Sequence, residues 1–438
     1  MLGILLALAV ILLVAFALGF YVFLTLGLTA LSLGWLFSDR PIWQILGHIP
    51  WNLATNTTLL ALPLYVLMGE ILLRSGITEG MYQALSKWLN RLPGTLLHTN
   101  IVASGMFACI SGSSAATAAT VGGVALPFLR AARYDDRIAL GSLAAGGTLG
   151  ILLPPSIVMI VYGVLAEESI GRLYLAGVVP GVLLMLGFMA TIVVITLRHP
   201  DTTPPSQPTS WPDRWRGLVH LVPIAILVVL VLGTIYAGIA TATEAAAFGV
   251  TGAIALAAAK GRVTARMLTE TFLATATTTA MIVMILIGAF LLQFIVSFLG
   301  LPSALSRWVV SLELSSLQVI LIICALYIVL GMFMESLSIV VVTVPILVPM
   351  LQPLGVDLIW FGVIIVVLVE LALITPPVGM NLFILQGISS TSKAPGGGTI
   401  KEVYVGVLPF LVALLAILLL VVLVPDVALW LPNSAFAR

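Results

Sequence analysis

Charge is scarce in this chain of 438 residues: 18 Lys+Arg and 17 Asp+Glu make up 8% of it, against 61% apolar residues. A soluble domain carries about a quarter charged residues. A chain this poor in charge cannot cover a globular surface with polar groups. Length alone suggests about three soluble domains, but composition overrides that and points to a polytopic membrane protein. The net charge is +1, with no basic block, which argues against nucleic acid as a partner. Cysteine is nearly absent. Cys109 and Cys324 lie in apolar runs, so neither a disulfide framework nor a zinc site is expected. His48, His98, His199 and His220 fall in loops or at span ends without ligand spacing. The motif GxxxxGK[ST] is missing, which excludes that route to ATP coupling within the chain. The first 36 residues are too long and too apolar for a cleaved signal peptide.

What is abundant is apolar sequence of spanning length. About 20 apolar residues cross the hydrocarbon. The stretches 52–73, 175–197, 218–238, 239–258, 270–295 and 403–424 qualify. Residues 2–37 form one run, predicted to be two short helices broken near Gly19. Regions 98–134, 137–166 and 317–387 are long and apolar, but Gly, Ser, Thr and Pro interrupt them. About 10–12 transmembrane segments are expected in all. His199 to Trp215, with Pro200, Pro204, Pro205, Pro208 and Pro212, reads as a polar linker, and Ser389 to Gly398 as a Ser/Gly loop.

The chain also repeats itself. Setting residue n beside n+222 pairs Ser114 with Ser336, Pro127 with Pro349, Asp135 with Asp357 and Pro154-Pro155 with Pro376-Pro377. At offset 220, Leu85 meets Leu305 and Trp88 meets Trp308; at 229, Gly177 meets Gly406 and Pro180 meets Pro409. The organisation expected is N-terminal membrane helices (1–51), a first unit (52–198), a cytoplasmic linker (199–217), connecting scaffold helices (218–260), a second unit (261–425) and a tail (426–438). Each unit holds a crossing, a re-entrant hairpin (about 98–134 and about 317–352), a broken helix (about 137–166 and about 358–387) and a final crossing. This arrangement puts Arg74, Lys87, Arg91, Arg130, Arg133, Arg137, Arg198, Arg214, Arg216, Lys260, Arg262, Arg266, Lys393 and Lys401 on one side. Only Arg40, Arg172, Arg307 and Arg438 fall on the other. Basic residues mark the cytoplasmic face, so the two units are inverted. Inverted repeats with broken helices belong to secondary transporters, with the site near the midplane where the repeats meet.

Four breaks carry the candidate chemistry, because broken helices survive in a membrane only inside protein or beside water. The first is Ser111-Gly112-Ser113-Ser114, followed by Thr117. The second runs from Gly146-Gly147-Thr148 to Pro154-Pro155-Ser156. The third, Met334-Glu335-Ser336, aligns with the first, with Glu335 in place of Ser113. The fourth, Thr375-Pro376-Pro377-Val378-Gly379-Met380-Asn381, aligns with the second. Adjacent prolines free upstream carbonyls, which suit Na⁺, and hydroxyls suit a small cation or an oxyanion. Small-residue packing and a plain proline kink are the bland alternatives. Acids inside the membrane each cost several kcal/mol unless paired or hydrated. Glu70 reads as an i,i+4 partner of Arg74 and Glu244 as a helix cap or a functional acid. Glu335 is placed at a hairpin tip. Glu370, deepest by sequence, either takes a proton, tunes a nearby sodium site or pairs with a donor.

These residues carry a resemblance. Ala61-Leu62-Pro63-Leu64 with Gly69-Glu70, Ser111 to Thr117, Gly150 to Gly163, Ser169 to Leu173 and Ala176 to Gly181 resemble the large membrane subunit of tripartite ATP-independent periplasmic (TRAP) transporters. So do Thr243-Glu244-Ala245-Ala246, Gly355-Val356-Asp357 with Phe361-Gly362, and Thr375 to Phe383. The resemblance covers nearly the whole chain. It implies an all-α polytopic membrane protein of the inner membrane, an elevator-type transporter driven by Na⁺. Such a permease takes up an organic acid such as a C4-dicarboxylate or sialic acid. The partners implied are a periplasmic substrate-binding protein and a small four-helix membrane subunit, and no enzymatic activity is expected. Sodium-site residues carried over are Ser111, Gly112, Ser113, Ser114, Pro154, Glu335, Ser336, Thr375 and Pro376. Substrate is expected near Ser113, Thr117, Thr148, Ser156, Gly379 and Asn381. Two positions depart from the family pattern: Ala242 stands where proline is common, and Glu335 where aspartate is. The alternative is a self-sufficient ion-coupled anion symporter of related inverted-repeat fold. A membrane enzyme would need a nucleophile–base or metal constellation, and the sequence offers none.

Overall fold

The computed structural model describes residues 2–38, 47–204, 209–391 and 399–435. Arg40, Pro205, Pro208, Lys393, Arg438 and most of the Ser389–Gly398 loop lie outside the described residues. All regular structure among the described residues is helical. The run 2–37 forms α1 (Leu2–Ala17) and α2 (Val22–Phe37). They part at Gly19, whose φ of +75° only glycine adopts without strain. A short α3 (His48–Ala54) follows.

The first unit then runs α4 (Ala61–Arg74), α5 (Ile77–Leu89), α6 (Leu96–Ser111), α7 (Ser114–Ala131), α8 (Asp136–Leu152), α9 (Ile157–Ala166) and α10 (Ile170–Arg198). The connection comprises α11 (Trp211–Leu218), α12 (Val222–Val228), which passes through a π turn at Val229–Gly233, and α13 (Ala242–Ala259). The same succession follows again: α14 (Ala265–Phe298), α15 (Leu301–Ser311), α16 (Ser316–Gly331), α17 (Ser336–Leu351), α18 (Leu358–Ile374), α19 (Met380–Thr391) and α20 (Ile400–Leu423). A final helix, α21 (Asp426–Ala435), packs on α10.

Matched local signals set matched boundaries. Asp135 caps α8 and Asp357 caps α18, each accepting a backbone N–H of the first turn. Ser113 and Glu335 do the same for α7 and α17. Gly76 and Gly300 take left-handed φ values before α5 and α15, and Arg133 and Gly355 do so before α8 and α18. By length and composition, seven helical stretches among the described residues can cross a membrane, or nine if each bent pair counts as one. Four shorter apolar helices add to these. α6 has 16 residues, about 24 Å at the helical rise, which is less than the hydrocarbon thickness of about 30 Å.

Packing crosses between the units. α19, beyond the second break, packs on α7, an arm of the first hairpin. α9, beyond the first break, packs on α17, an arm of the second. α8 and α18 also pack together. Backbone meets backbone where α8 touches α20, since a Cβ on Gly141 would lie 2.1 Å from the Gly406 carbonyl oxygen.

Connecting segments meet one another at two ends of the helices. At the basic end, the Trp88 indole donates to the Arg214 carbonyl at 3.1 Å, and the Asp135 N–H donates to the Thr202 carbonyl at 3.3 Å. Arg130 pairs with Asp136 at 3.0 Å and donates to the Ser389 carbonyl and hydroxyl at 3.2 and 2.5 Å. At the other end, the Tyr162 hydroxyl donates to the Leu358 carbonyl at 2.6 Å. There, burial and the neighbouring Asp357 raise the Glu168 carboxyl above its ordinary range, and Arg172 opposes them.

The Arg130 side chain is only 7% exposed and ties α7, α8 and α19 into one body. Removing one member of a buried pair strands the other. Arg130→Gln is expected to lower stability by about 2–3 kcal/mol, read as a fall in melting temperature in detergent, with Arg130→Lys intermediate.

Candidate functional site

The first hairpin turns in two residues. Gly112 takes φ +60°, and a Cβ there would stand 2.9 Å from the Pro155 carbonyl oxygen. Turn and close approach both demand glycine. Ser113 caps α7, and its hydroxyl accepts the Ala116 N–H at 3.4 Å. The Ser111 and Thr117 hydroxyls lie 2.8 Å apart, and Thr117 also donates to the Ser113 carbonyl at 2.8 Å.

The first break meets this tip. The Pro154-Pro155 bond is cis. Neither proline offers an N–H to the carbonyls of Gly150 and Ile151 four residues before. The Ile157 N–H donates to the Gly112 carbonyl at 3.3 Å, and the Ser114 hydroxyl to the Thr148 carbonyl at 3.1 Å. α8 presses on the tip at Gly150, where a Cβ would fall 2.6 Å from the Ser113 carbonyl oxygen. Ser111, Gly112, Ser113, Ser114, Thr117, Thr148, Pro154 and Ser156 thus gather around one junction. The Thr148 hydroxyl turns back to the Ala145 carbonyl at 2.7 Å, and the Ser156 hydroxyl caps α9 by accepting the Met159 N–H at 3.3 Å. Thr148 therefore presents its carbonyl, not its hydroxyl, to the tip.

The second unit has the same parts, a tip and a Pro-Pro break, in a more open setting. Pro376-Pro377 is also cis. α16 reaches α18 just before the tip, because a Cβ on Gly331 would lie 2.3 Å from the Ala372 Cβ. Glu335 is exposed, and its carboxylate accepts the N–H groups of Leu337 and Ser338 at 3.0 and 3.3 Å. The Ser336 hydroxyl also donates to it, at 2.9 Å. The Thr375 hydroxyl donates to the Leu371 carbonyl at 2.6 Å, and Gly379 holds φ +51°. Pro376 is half-buried and Pro377 exposed, whereas Pro154 and Pro155 are both buried.

Asn381 leaves the second break and enters the first unit's cluster. A Cβ on Gly147 would lie 3.1 Å from its Nδ2. The residue is fully buried, and neither amide atom has a hydrogen-bond partner. Glu370, also fully buried, makes no hydrogen bond of good geometry, and its nearest donor is the backbone of Leu152. Buried polar atoms are nearly always bonded, so these two positions stand out.

A cavity of about 180 Å³ lies between the first tip, α4 and α14, lined among others by Gly69, Glu70, Ser111, Ser113 and Thr278. Glu70 pairs with Arg74, as the i,i+4 spacing anticipates, and Arg74 stands 3.9 Å from Glu270 of α14. Thr278 was not among the sequence candidates. Its signal is the threonine run Thr275, Thr277, Thr278, Thr279 within an otherwise apolar span. Glu244 forms a capping box with Thr241, bonding its N–H at 2.8 Å, and so serves as a helix cap.

Chemically, the first junction concentrates hydroxyl and carbonyl oxygens without a formal charge. No group of three or more His, Cys, Asp or Glu side chains suited to a metal occurs among the described residues. Oxygen donors of this kind match a hard cation and do not match a soft transition metal.

The family model of the tripartite ATP-independent periplasmic transporter, DctM component, matches residues 9–427. The chain is 34% identical to the C4-dicarboxylate TRAP transporter large permease protein DctM of Rhodobacter capsulatus, over 95% of this chain and 96% of that one. It is 33% identical to the sialic acid TRAP transporter large permease protein SiaM of Vibrio cholerae, over 89% and 88%. Among solved structures, the YdaH transporter of Alcanivorax borkumensis shares the fold, with a TM-score of 0.60 and 17% identity over 92% of this chain and 96% of that one. With matches of this extent joined to a helical fold of spanning length, the chain belongs to the DctM family of TRAP large permeases, multi-pass transporter subunits of the bacterial inner membrane and not enzymes.

Proposed function

We propose that this chain carries an organic acid into the cell, coupled to Na⁺, by an elevator movement. The hairpins and broken helices, α6–α9 and α16–α19, form the moving body; α4, α10, α12–α14 and α20 form the scaffold. The observation that carries the reading is the junction of tip and Pro-Pro break in the first unit, where uncharged oxygens converge; the second unit carries the same tip and the same Pro-Pro break in sequence. One Na⁺ is held near Ser111, Gly112, Ser113, Ser114 and Pro154, and another near Glu335, Ser336, Thr375 and Pro376.

Charge explains why the two cargoes travel together. No Lys or Arg occurs in 92–129, 138–171 or 308–392, the segments that hold all four breaks. A substrate carboxylate therefore finds no cationic side chain there. Bound Na⁺ and the N-termini of α7 and α9 supply the positive potential it needs. Ser113, Thr117 and Asn381, with the backbone at Thr148, Ser156 and Gly379, supply donors and shape. The named relatives transport C4-dicarboxylates and sialic acid, which supports a carboxylate here.

A periplasmic binding protein delivers the substrate, and a small four-helix subunit braces the scaffold. Reconstituted with both partners, the chain is expected to take up labelled substrate only when the loaded binding protein is outside. Uptake of free substrate by this chain alone would replace the tripartite reading with that of a self-sufficient symporter.

A further inference from the structure

Away from the hairpin tips, at the basic end, α8, α10 and α20 enclose a cavity of about 720 Å³. Its lining has two characters. Arg137, Arg198 and His199 contribute at one part, and Val194, Val405 and Val412 at another. Both arginines are exposed. Among the described residues, neither has a carboxylate within ion-pair distance. Asp135 lines the cavity too, but its carboxylate accepts the Arg137 N–H at 2.8 Å as the cap of α8. Two guanidinium groups thus outweigh one engaged carboxylate. The valines are exposed at 46%, 46% and 68%, on helices α10 and α20 that are long and apolar enough to span. An exposed apolar face on a spanning helix suits acyl chains, and the basic residues at this end suit the headgroup level of the cytoplasmic leaflet.

A soluble anion would use the cationic part and leave the apolar wall unexplained. A neutral lipid would use the wall and leave the unpaired arginines unexplained. We propose that this cavity binds one anionic phospholipid of the inner leaflet, its phosphodiester beside Arg137 and Arg198 and an acyl chain along Val194, Val405 and Val412. The lipid then bridges α8, which leads to the first Pro-Pro break, and the two long helices beside it.

Native mass spectrometry of the delipidated full chain, titrated with phosphatidylglycerol or phosphatidylcholine, tests this. One phosphatidylglycerol is expected to bind at least about tenfold more tightly than phosphatidylcholine. The double variant Arg137→Gln/Arg198→Gln is expected to lose about tenfold or more of that affinity, with Arg137→Lys/Arg198→Lys restoring most of it. Val412→Trp fills the apolar part and should weaken the same adduct, while Arg262→Gln, on the same face outside the cavity, should not. Equal binding of the two lipids, or undiminished phosphatidylglycerol binding by both the double variant and Val412→Trp, overturns the proposal. Displacement of the lipid by inorganic phosphate alone would also overturn it, by showing a site for a free anion.

Discussion

Asn381→Leu is expected to cut uptake at least about tenfold while making the folded protein more stable. The amide is fully buried between α19, α7 and α8, with no protein partner for either of its polar atoms. An unsatisfied buried amide costs about 1–3 kcal/mol, and leucine keeps the same branched four-atom skeleton, somewhat larger, without that cost. Stability should therefore rise by about 1–2 kcal/mol, seen as a higher melting temperature. If the amide is retained for a ligand, transport should fall at least about tenfold, since the site loses a donor and an acceptor together. Unchanged uptake together with lower stability would instead make Asn381 a packing residue.

The second large effect concerns Gly150. Its Cβ would lie 2.6 Å from the Ser113 carbonyl oxygen and 2.7 Å from the Ser114 Cα, both backbone atoms that a rotamer change cannot move. Gly150→Ala must push α8 away from the first tip and spread the oxygens gathered there. The expected result is a rise of about tenfold or more in the Na⁺ concentration needed for half-maximal uptake, the cost of a misplaced ligand set. Gly123→Ala, in the neighbouring arm α7, has nothing within 4 Å of the added methyl. It should instead gain about 0.5–1 kcal/mol from helix propensity, with sodium dependence unaltered. Equal behaviour of the two variants would detach the tip from ion binding.

The contrast also shows which parts of the molecule local sequence encodes. The break at Gly19, the caps at Asp135 and Asp357 and the Pro-Pro pairs are short-range signals. They placed helix boundaries and the succession of elements because each acts within one turn of its own residue. The capping role of Glu244 was one of two readings open in sequence and was resolved by its contact with Thr241. Long-range partners were not legible. The sequence places Asn381 just after the second break, but only the packing of α19 on α7 shows that its amide lands beside Gly147. Symmetry likewise says nothing of why the second junction is exposed and the first buried, since exposure depends on what covers each one. Thr278 was hidden because its helix is apolar on average, and the tie from Arg130 to Ser389 spans 259 positions of sequence. The π turn at Val229–Gly233 has no side-chain signature in its run of valine and leucine.

The central claim is that uncharged oxygens at the first tip and break hold the Na⁺ that drives uptake. Its most direct measurement is uptake by the complete three-part transporter in proteoliposomes under an imposed Na⁺ gradient, against an equal K⁺ gradient, for wild type and Ser113→Ala. The account predicts accumulation with Na⁺ only, and a shift of about tenfold in half-maximal Na⁺ for the variant. Equal accumulation in the two gradients, or a Ser113→Ala protein with unaltered Na⁺ dependence, would contradict it.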